Sequence, residues 1–302
     1  MTSCLLVKSR RRLVAVSDGK LSRDDKTSTF NSIRKLIEFP ISYNIPRFSK
    51  GRFDRYSEYR SYPWFVAYAG THTVTTEIID LFRQRIGSLY LTRETLGRVP
   101  ELTDHFDTSH RFDDDYNFDR DEMPKVTARI VLQELEAAFE LRGSEFSKTR
   151  RKMPDSQYLL FGNEEATGEY KAFVLSTDEN GYFPGARLRI KVEHVADGAL
   201  ATIGSPIVSA VAYDDQELMD GLVGWQTDED PSARLNDFEK PGEEATASPQ
   251  ASNGAWGISM VAARFCRIIS STSDASVGGQ MMVAKGGWER EICVQTANPP
   301  EL

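Results

Sequence analysis

The chain has 302 residues, 40% of them hydrophobic, enough for one large domain or two small ones around a substantial core. Its charge of −8, from 37 basic and 45 acidic residues, argues against a general nucleic-acid binder, which would carry a basic balance. Cys4, Cys266 and Cys293 are too few, and odd in number, for a disulfide framework, and no run reaches the ~18 apolar residues of a membrane span. Cys4-Leu5-Leu6-Val7 is also too short for the apolar core of a signal peptide, so a cytoplasmic protein with no membrane partner is the expectation.

Residues 2–8 and 12–17 are Val- and Leu-rich runs flanking the basic turn Ser9-Arg10-Arg11-Arg12, and they predict two strands. Asp18-Gly19 is a turn signal that closes the second. Residues 33–39 alternate in part and predict a third strand, ended by Pro40. Residues 40–63 read as an irregular segment dense in Arg, Tyr and Phe. Basic residues interleaved with aromatics suit single-stranded nucleic acid. In so acidic a chain a surface insertion or subunit contact is preferred, and no nucleic-acid partner is expected. Trp64–Ala69 is a buried-strand run ending at Gly70, and apolar residues at helical spacing predict a helix over 72–86.

Residues 92–122 are acidic and aromatic with little periodicity. His105, Asp107, His110 and Asp113-Asp114-Asp115 lie there, but no helical phase gathers them, so a solvated loop is preferred and neither a metal nor a cofactor is expected. A second helix is predicted over 124–142, with Pro124 near its start and Gly143 just past its end. Residues 158–162 and 170–175 predict paired strands, Asp178-Glu179-Asn180-Gly181 a turn, and 186–192 and 199–203 further strands. A helix over 206–222 follows. Residues 226–253 are acidic, rich in Pro, Ala and Ser, and read as a flexible insertion. A helix over 255–271 and strands near 280–285 and 289–295 close an order that predicts an α+β fold.

The chemistry points to the first residues. If Met1 is removed, Thr2 carries a free α-amine beside its own hydroxyl, a base and a nucleophile in one residue. Ser17-Asp18-Gly19-Lys20 closes the second strand, Lys35 follows in the third, and Ala69-Gly70 ends the fourth ahead of a helix. Ile203-Gly204-Ser205 precedes another helix, and Ser276-Val277-Gly278-Gly279 follows the last long one. In order and spacing this resembles the proteasome β-subunit family of N-terminal nucleophile (Ntn) hydrolases, nearest to its bacterial homologues HslV, Anbu and BPH. The resemblance spans nearly the whole chain. Residues 40–63, 92–122 and 226–253 are then insertions into a single domain, 1–302.

The resemblance implies a four-layer αββα sandwich and a threonine peptidase in a self-compartmentalising homo-oligomeric ring. Its substrate would be a peptide or unfolded protein. Any energy-dependent step would need an AAA+ unfoldase as partner, since the chain carries no nucleotide-binding motif. Thr2 matches the nucleophile, Asp18 the buried aspartate, Gly70 the oxyanion glycine and Ser205 the serine near the nucleophile. Lys35 matches the family lysine one residue late. Arg34 holds the strict spacing, but the Lys-Leu-Ile pattern favours Lys35. Asp274 matches the aspartate before the family's Ser-Gly-Gly, where this chain has Val277 in place of the serine. Leu21, Ser22, Tyr68 and His72 lie where the family shapes its substrate pocket. Singly, Asp18 also reads as a turn residue, Lys35 as a strand-edge charge and Gly70 as a helix-entry glycine. A catalytically inactive scaffold and a small-molecule Ntn amidase are the competing functions.

Overall fold

The computed structural model describes residues 3–22, 28–30, 33–93, 100–103, 106, 123–149, 153–177, 190–226, 256–272, 277–287 and 291–297. Thr2, Asp274, the predicted turn at 178–181, residues 227–253 of the proposed insertion and the His105–Asp115 group lie outside them.

The two apolar runs at the start form β1 (Ser3–Lys8) and β2 (Leu13–Ser17), every residue of both buried. Continuous burial fits a sheet covered on both faces rather than one face in water. The short strands β3 (Leu21–Ser22) and β4 (Ser28–Phe30) pair with each other. Strand β5 (Leu36–Phe39) begins one residue after Lys35, so the lysine precedes the strand rather than lying within it.

Residues 40–63 are not irregular. They form β6 (Ser42–Ser49) and β7 (Arg52–Arg60), a hairpin turned by Lys50 and Gly51, both at positive φ. Pro46 hides the strand in the sequence, since proline cannot donate to a ladder. It is tolerated because β6 pairs with its second neighbour, β9 (Leu89–Arg93), only at Tyr43 and Asn44.

Strand β8 (Trp64–Gly70) and helix α1 (His72–Ile86) fall where the apolar spacing predicts them. After β9 come β10 (Pro100–Thr103) and α2 (Ala128–Lys148). Helix α2 runs through Gly143 instead of ending before it. A helical glycine costs about 1 kcal/mol relative to alanine, and the extension packs Phe146 on the core, a gain of similar or larger size. Strands β11 (Ser156–Glu164), β12 (Glu169–Thr177), β13 (Ile190–His194) and β14 (Leu200–Gly204) follow.

The predicted helix 206–222 is two helices, α3 (Pro206–Asp214) and α4 (Gln216–Leu222), broken at extended Asp215. The Asp215 carboxylate caps α4 at the Leu218 N–H, 3.0 Å away, and takes a bidentate pair from Arg264. A 3-10 turn (Val223–Trp225), α5 (Ile258–Ser271), β15 (Met281–Gly286) and β16 (Ile292–Ala297) complete an α+β fold.

Among the described residues one sheet has the order β14-β1-β2-β15-β16, a second β13-β12-β11-β8-β5 and a third β10-β9-β6-β7. Strand alternation divides the apolar residues among three cores. Leu5, Val7, Val14 and Val16 pack with Val261, Phe265 and Ile269 of α5. Cys4, Leu6, Leu13 and Ala15 turn the other way, against Phe65, Ala67, Leu159 and Phe161 of the second sheet. That sheet's opposite face, including Val66, Tyr158 and Leu160, packs on Ile78 and Phe82 of α1 and Val131 and Leu135 of α2. Each Val, Leu, Ile or Phe among them contributes about 1.5–3 kcal/mol on burial.

Candidate active site

β-pairing draws the first described residue, Ser3, between two other segments. Ser3 lies opposite Gly204 at the end of β14, and its carbonyl accepts the Asp18 N–H at 3.0 Å. Asp18 follows β2 directly and is fully buried. Its Oδ1 accepts the Ser3 N–H at 2.8 Å, and its Oδ2 accepts the Gly278 N–H at 3.3 Å.

The remaining capacity of the carboxylate goes to Lys35, whose Nζ is 3.3 Å from Oδ1 and 3.4 Å from Oδ2. The same ammonium donates to the Lys20 carbonyl. Lys35 is carried inward by the pairing of β5 with β8, extended by the Tyr68 N–H donating to the Lys35 carbonyl at 3.3 Å. Lys35 is 1% exposed while Arg34 is exposed, so the residue one position late reaches the carboxylate. Asp18 is therefore more than a turn residue, and Lys35 more than an edge charge.

Burial dominates the protonation of both groups. It pushes the Asp18 carboxyl above its ordinary value, with Lys35 and the two N–H donors opposing. It holds the Lys35 ammonium below its ordinary value, with Asp18 opposing. Burial first and Asp18 second also raise the Cys4 thiol, which makes Cys4 an unreactive core residue.

Gly70 ends β8 at φ +123, exposed, where the chain turns into α1. An added Cβ would collide with the Asp155 carbonyl and lie 2.9 Å from Ser156 Cα, so only glycine fits. Ser205 is fully buried and caps α3, its Oγ accepting the Val208 N–H at 3.4 Å. It adjoins Gly204 and hence Ser3.

Tyr68 is 3% exposed, with its hydroxyl 3.4 Å from both the Arg34 carbonyl and His72 Nδ1, and burial pushes its pKa up to about 12. Tyr68 and His72 thus adjoin the Lys35 segment. Leu21 and Ser22 lie in β3, directly after Lys20. Among the described residues no three His, Cys, Asp or Glu side chains gather as metal ligands. The sequence places Gly278 in the motif Ser276-Val277-Gly278-Gly279 but does not reveal its bond to Asp18. The Gly278-Gly279 pair is the signal the sequence offers, and both glycines take positive φ in the structure (+123 and +76).

Structural comparison matches an Anbu (Gly-1) mutant from Hyphomicrobium sp. strain MC1, at TM-score 0.52 and 10% identity, over 99% of this chain and 87% of that one. The fold is similar to that of Anbu. Anbu (ancestral beta-subunit) from Yersinia bercovieri (TM-score 0.46, 13% identity, 99% and 88% covered) and a second form of the Hyphomicrobium sp. strain MC1 Anbu (0.48, 11%, 98% and 88%) are looser matches. No family model and no curated protein matches the sequence. At these identities the likeness to Anbu is one of fold. The proteasome-related resemblance read from the residues is borne out at that level. No helix among the described residues is long and apolar enough to cross a membrane.

Proposed function

We propose that the chain is a threonine-type peptidase in which Thr2, freed by removal of Met1, is the nucleophile. One observation carries the reading. The buried Asp18 carboxylate accepts the N–H of Ser3, the amide that joins Thr2 to the chain, while it also pairs with Lys35. A carboxylate and an ammonium, both costly to bury, are thus built against the first peptide bond.

In this reading the α-amine, with a reference pKa of ~7.7–8.0, takes the hydroxyl proton through a water. The Lys35 charge disfavours the protonated amine, and Asp18 holds that lysine in place. Thr2 Oγ then attacks the scissile carbonyl. The oxyanion faces the Gly70 N–H, and the amine returns the proton to the leaving nitrogen. Water hydrolyses the acyl-threonine ester by the reverse proton path. Ser205 and Asp274 complete the hydrogen-bond network around the amine, and Leu21, Ser22, Tyr68 and His72 line the substrate pocket, which Tyr68 makes short.

The similarity of fold to Anbu supports the wider reading. The three cores are then the interfaces of a four-layer αββα sandwich in one domain, 1–302. The chain assembles as a homo-oligomeric ring acting on peptides or unfolded proteins, with an AAA+ unfoldase as partner. Three free cysteines suit the cytoplasm.

Intact mass of the native protein, followed by a peptidyl epoxyketone directed at N-terminal threonine, tests the reading. The expected result is a Thr2 N-terminus that takes up the label, lost in Thr2→Ala. A chain that keeps Met1, or a mature chain that stays unlabelled, overturns it. One observation favours the inactive-scaffold reading. Val277, where a serine was expected, is buried in a hydrophobic core and offers no hydroxyl. The small-molecule amidase reading has no comparable support.

A further inference from the structure

We infer that Gln157 supplies a second hydrogen-bond donor to the scissile carbonyl oxygen, beside the Gly70 N–H. This rests on the proposed peptidase reading. Gln157 lies on β11 opposite Ala69 of β8, one residue from the Ser156–Gly70 pair. Directly paired residues share a face of the sheet. Ala69 belongs to the core between the first two sheets, so the Gln157 side chain emerges on that same side.

Across this space its Oε1 accepts the Gly204 N–H at 2.8 Å. Gly204 is the partner of Ser3 in the first sheet. The half-buried carboxamide therefore bridges the ends of two sheets, between the glycine proposed for the oxyanion and the residue after the proposed nucleophile. The bond also settles which end points where. Gly204 N–H is a donor, so it meets the carboxamide oxygen, and Nε2 is turned away. Among the described residues Nε2 has no hydrogen-bond partner, and it is not a sealed-off atom. Two N–H bonds of fixed direction are left open beside the Gly70 end of β8. Donors held ready where charge develops are the arrangement that stabilises an oxyanion.

The step needs no further reactant. As Thr2 Oγ bonds to the carbonyl carbon, the C=O π pair moves onto oxygen, where Gln157 Nε2–H and Gly70 N–H receive it. Collapse of the intermediate returns the pair and expels the amine.

Gln157→Glu keeps an oxygen for Gly204 and replaces the open donor by an acceptor. Gln157→Met keeps the volume and loses both bonds. Rates of Thr2 labelling by the peptidyl epoxyketone, kcat and KM on a fluorogenic peptide, and the thermal midpoint are measured for all three proteins. The expected result is a kcat about 100-fold lower in both variants with KM little changed, the size seen when one oxyanion donor is lost, and a thermal midpoint for Gln157→Glu close to wild type. Labelled wild type with Gln157→Glu at full rate overturns this inference alone. Loss in Gln157→Met with full activity in Gln157→Glu also overturns it, since Gln157 would then act only through Gly204. A mature wild-type chain that takes no label overturns the peptidase reading and this inference together.

Discussion

Asp18 and Lys35 show how much energy a single buried pair concentrates. Removing one partner leaves the other as an uncompensated charge, at a cost of about 3–5 kcal/mol, whereas replacing both by neutral residues of similar size is close to neutral or stabilising. Urea denaturation at pH 7 should therefore show Lys35→Ala strongly destabilised and Asp18→Asn/Lys35→Met near or above wild type. The pH dependence follows from the direction of each shift. The folded Asp18 carboxyl is raised above 3.8, so its contribution is complete below that pH and is lost as pH rises through the folded value. Folded Lys35 is lowered below 10.5, so its contribution is complete above that pH and is lost as pH falls through the folded value. At neutral pH both burial penalties are in force, and the double variant should gain most on wild type there. Comparison of denaturation midpoints at pH 4, 7 and 10 checks the sign. If the double variant were the least stable protein at pH 7, attraction within the pair would outweigh its desolvation.

At the scale of elements, capping decided what periodicity missed. The run 206–222 is apolar enough for one helix, yet Asp215 takes φ −76, ψ 90 and opens a second. Its carboxylate is worth more as a cap and as the partner of Arg264 than its place in a continuous helix would be. Asp215→Ala should cost about 1–3 kcal/mol, the sum of a lost cap and a lost charge-assisted pair, discounted for partial exposure. The hydrogen bonds from Arg264, first among the causes, hold the Asp215 carboxyl below its ordinary 3.8. Its stabilisation is therefore present above that pH and fades as pH falls through the folded value. An acid titration followed by circular dichroism should show the difference between wild type and Asp215→Asn shrinking below about pH 4. A difference that grows in acid would contradict the assignment. The hairpin of β6 and β7 teaches the reverse lesson. Its tight turn, Lys50-Gly51, is visible in the sequence, while Pro46 within β6 argues locally against a strand there.

The whole molecule depends on the core between the two larger sheets. Phe161 is fully buried there and stacks on Phe65 with ring centroids 5.6 Å apart. Phe161→Ala should cost about 3–5 kcal/mol. Because β1, β2, β8 and β11 all contribute to that core, the single-domain reading predicts one cooperative calorimetric transition, shifted downward in the variant. Two separated transitions, with only one moved by Phe161→Ala, would divide the chain into independent units.

The sequence by itself determined the α+β class, the positions of β1, β2, β8, α1 and α5, and the candidacy of Asp18, Lys35 and Gly70. The elements follow from local quantities, continuous apolar runs in these strands and the 3.6-residue period in the helices, whereas the candidacy of the three site residues follows from the resemblance of their order and spacing to the proteasome β-subunit family. The Lys-Leu-Ile pattern already favoured Lys35 over adjacent Arg34, and the tertiary structure supplies the reason that it meets the carboxylate: pairing against β8 fixes which neighbour turns inward. Tertiary structure alone decided that α2 continues through Gly143, where packing of Phe146 outweighs local propensity. The same holds for Gly278 and Gln157. They lie 260 and 139 residues beyond Asp18 in the chain, and only sheet pairing brings their amides to the end of the fold where the chain begins.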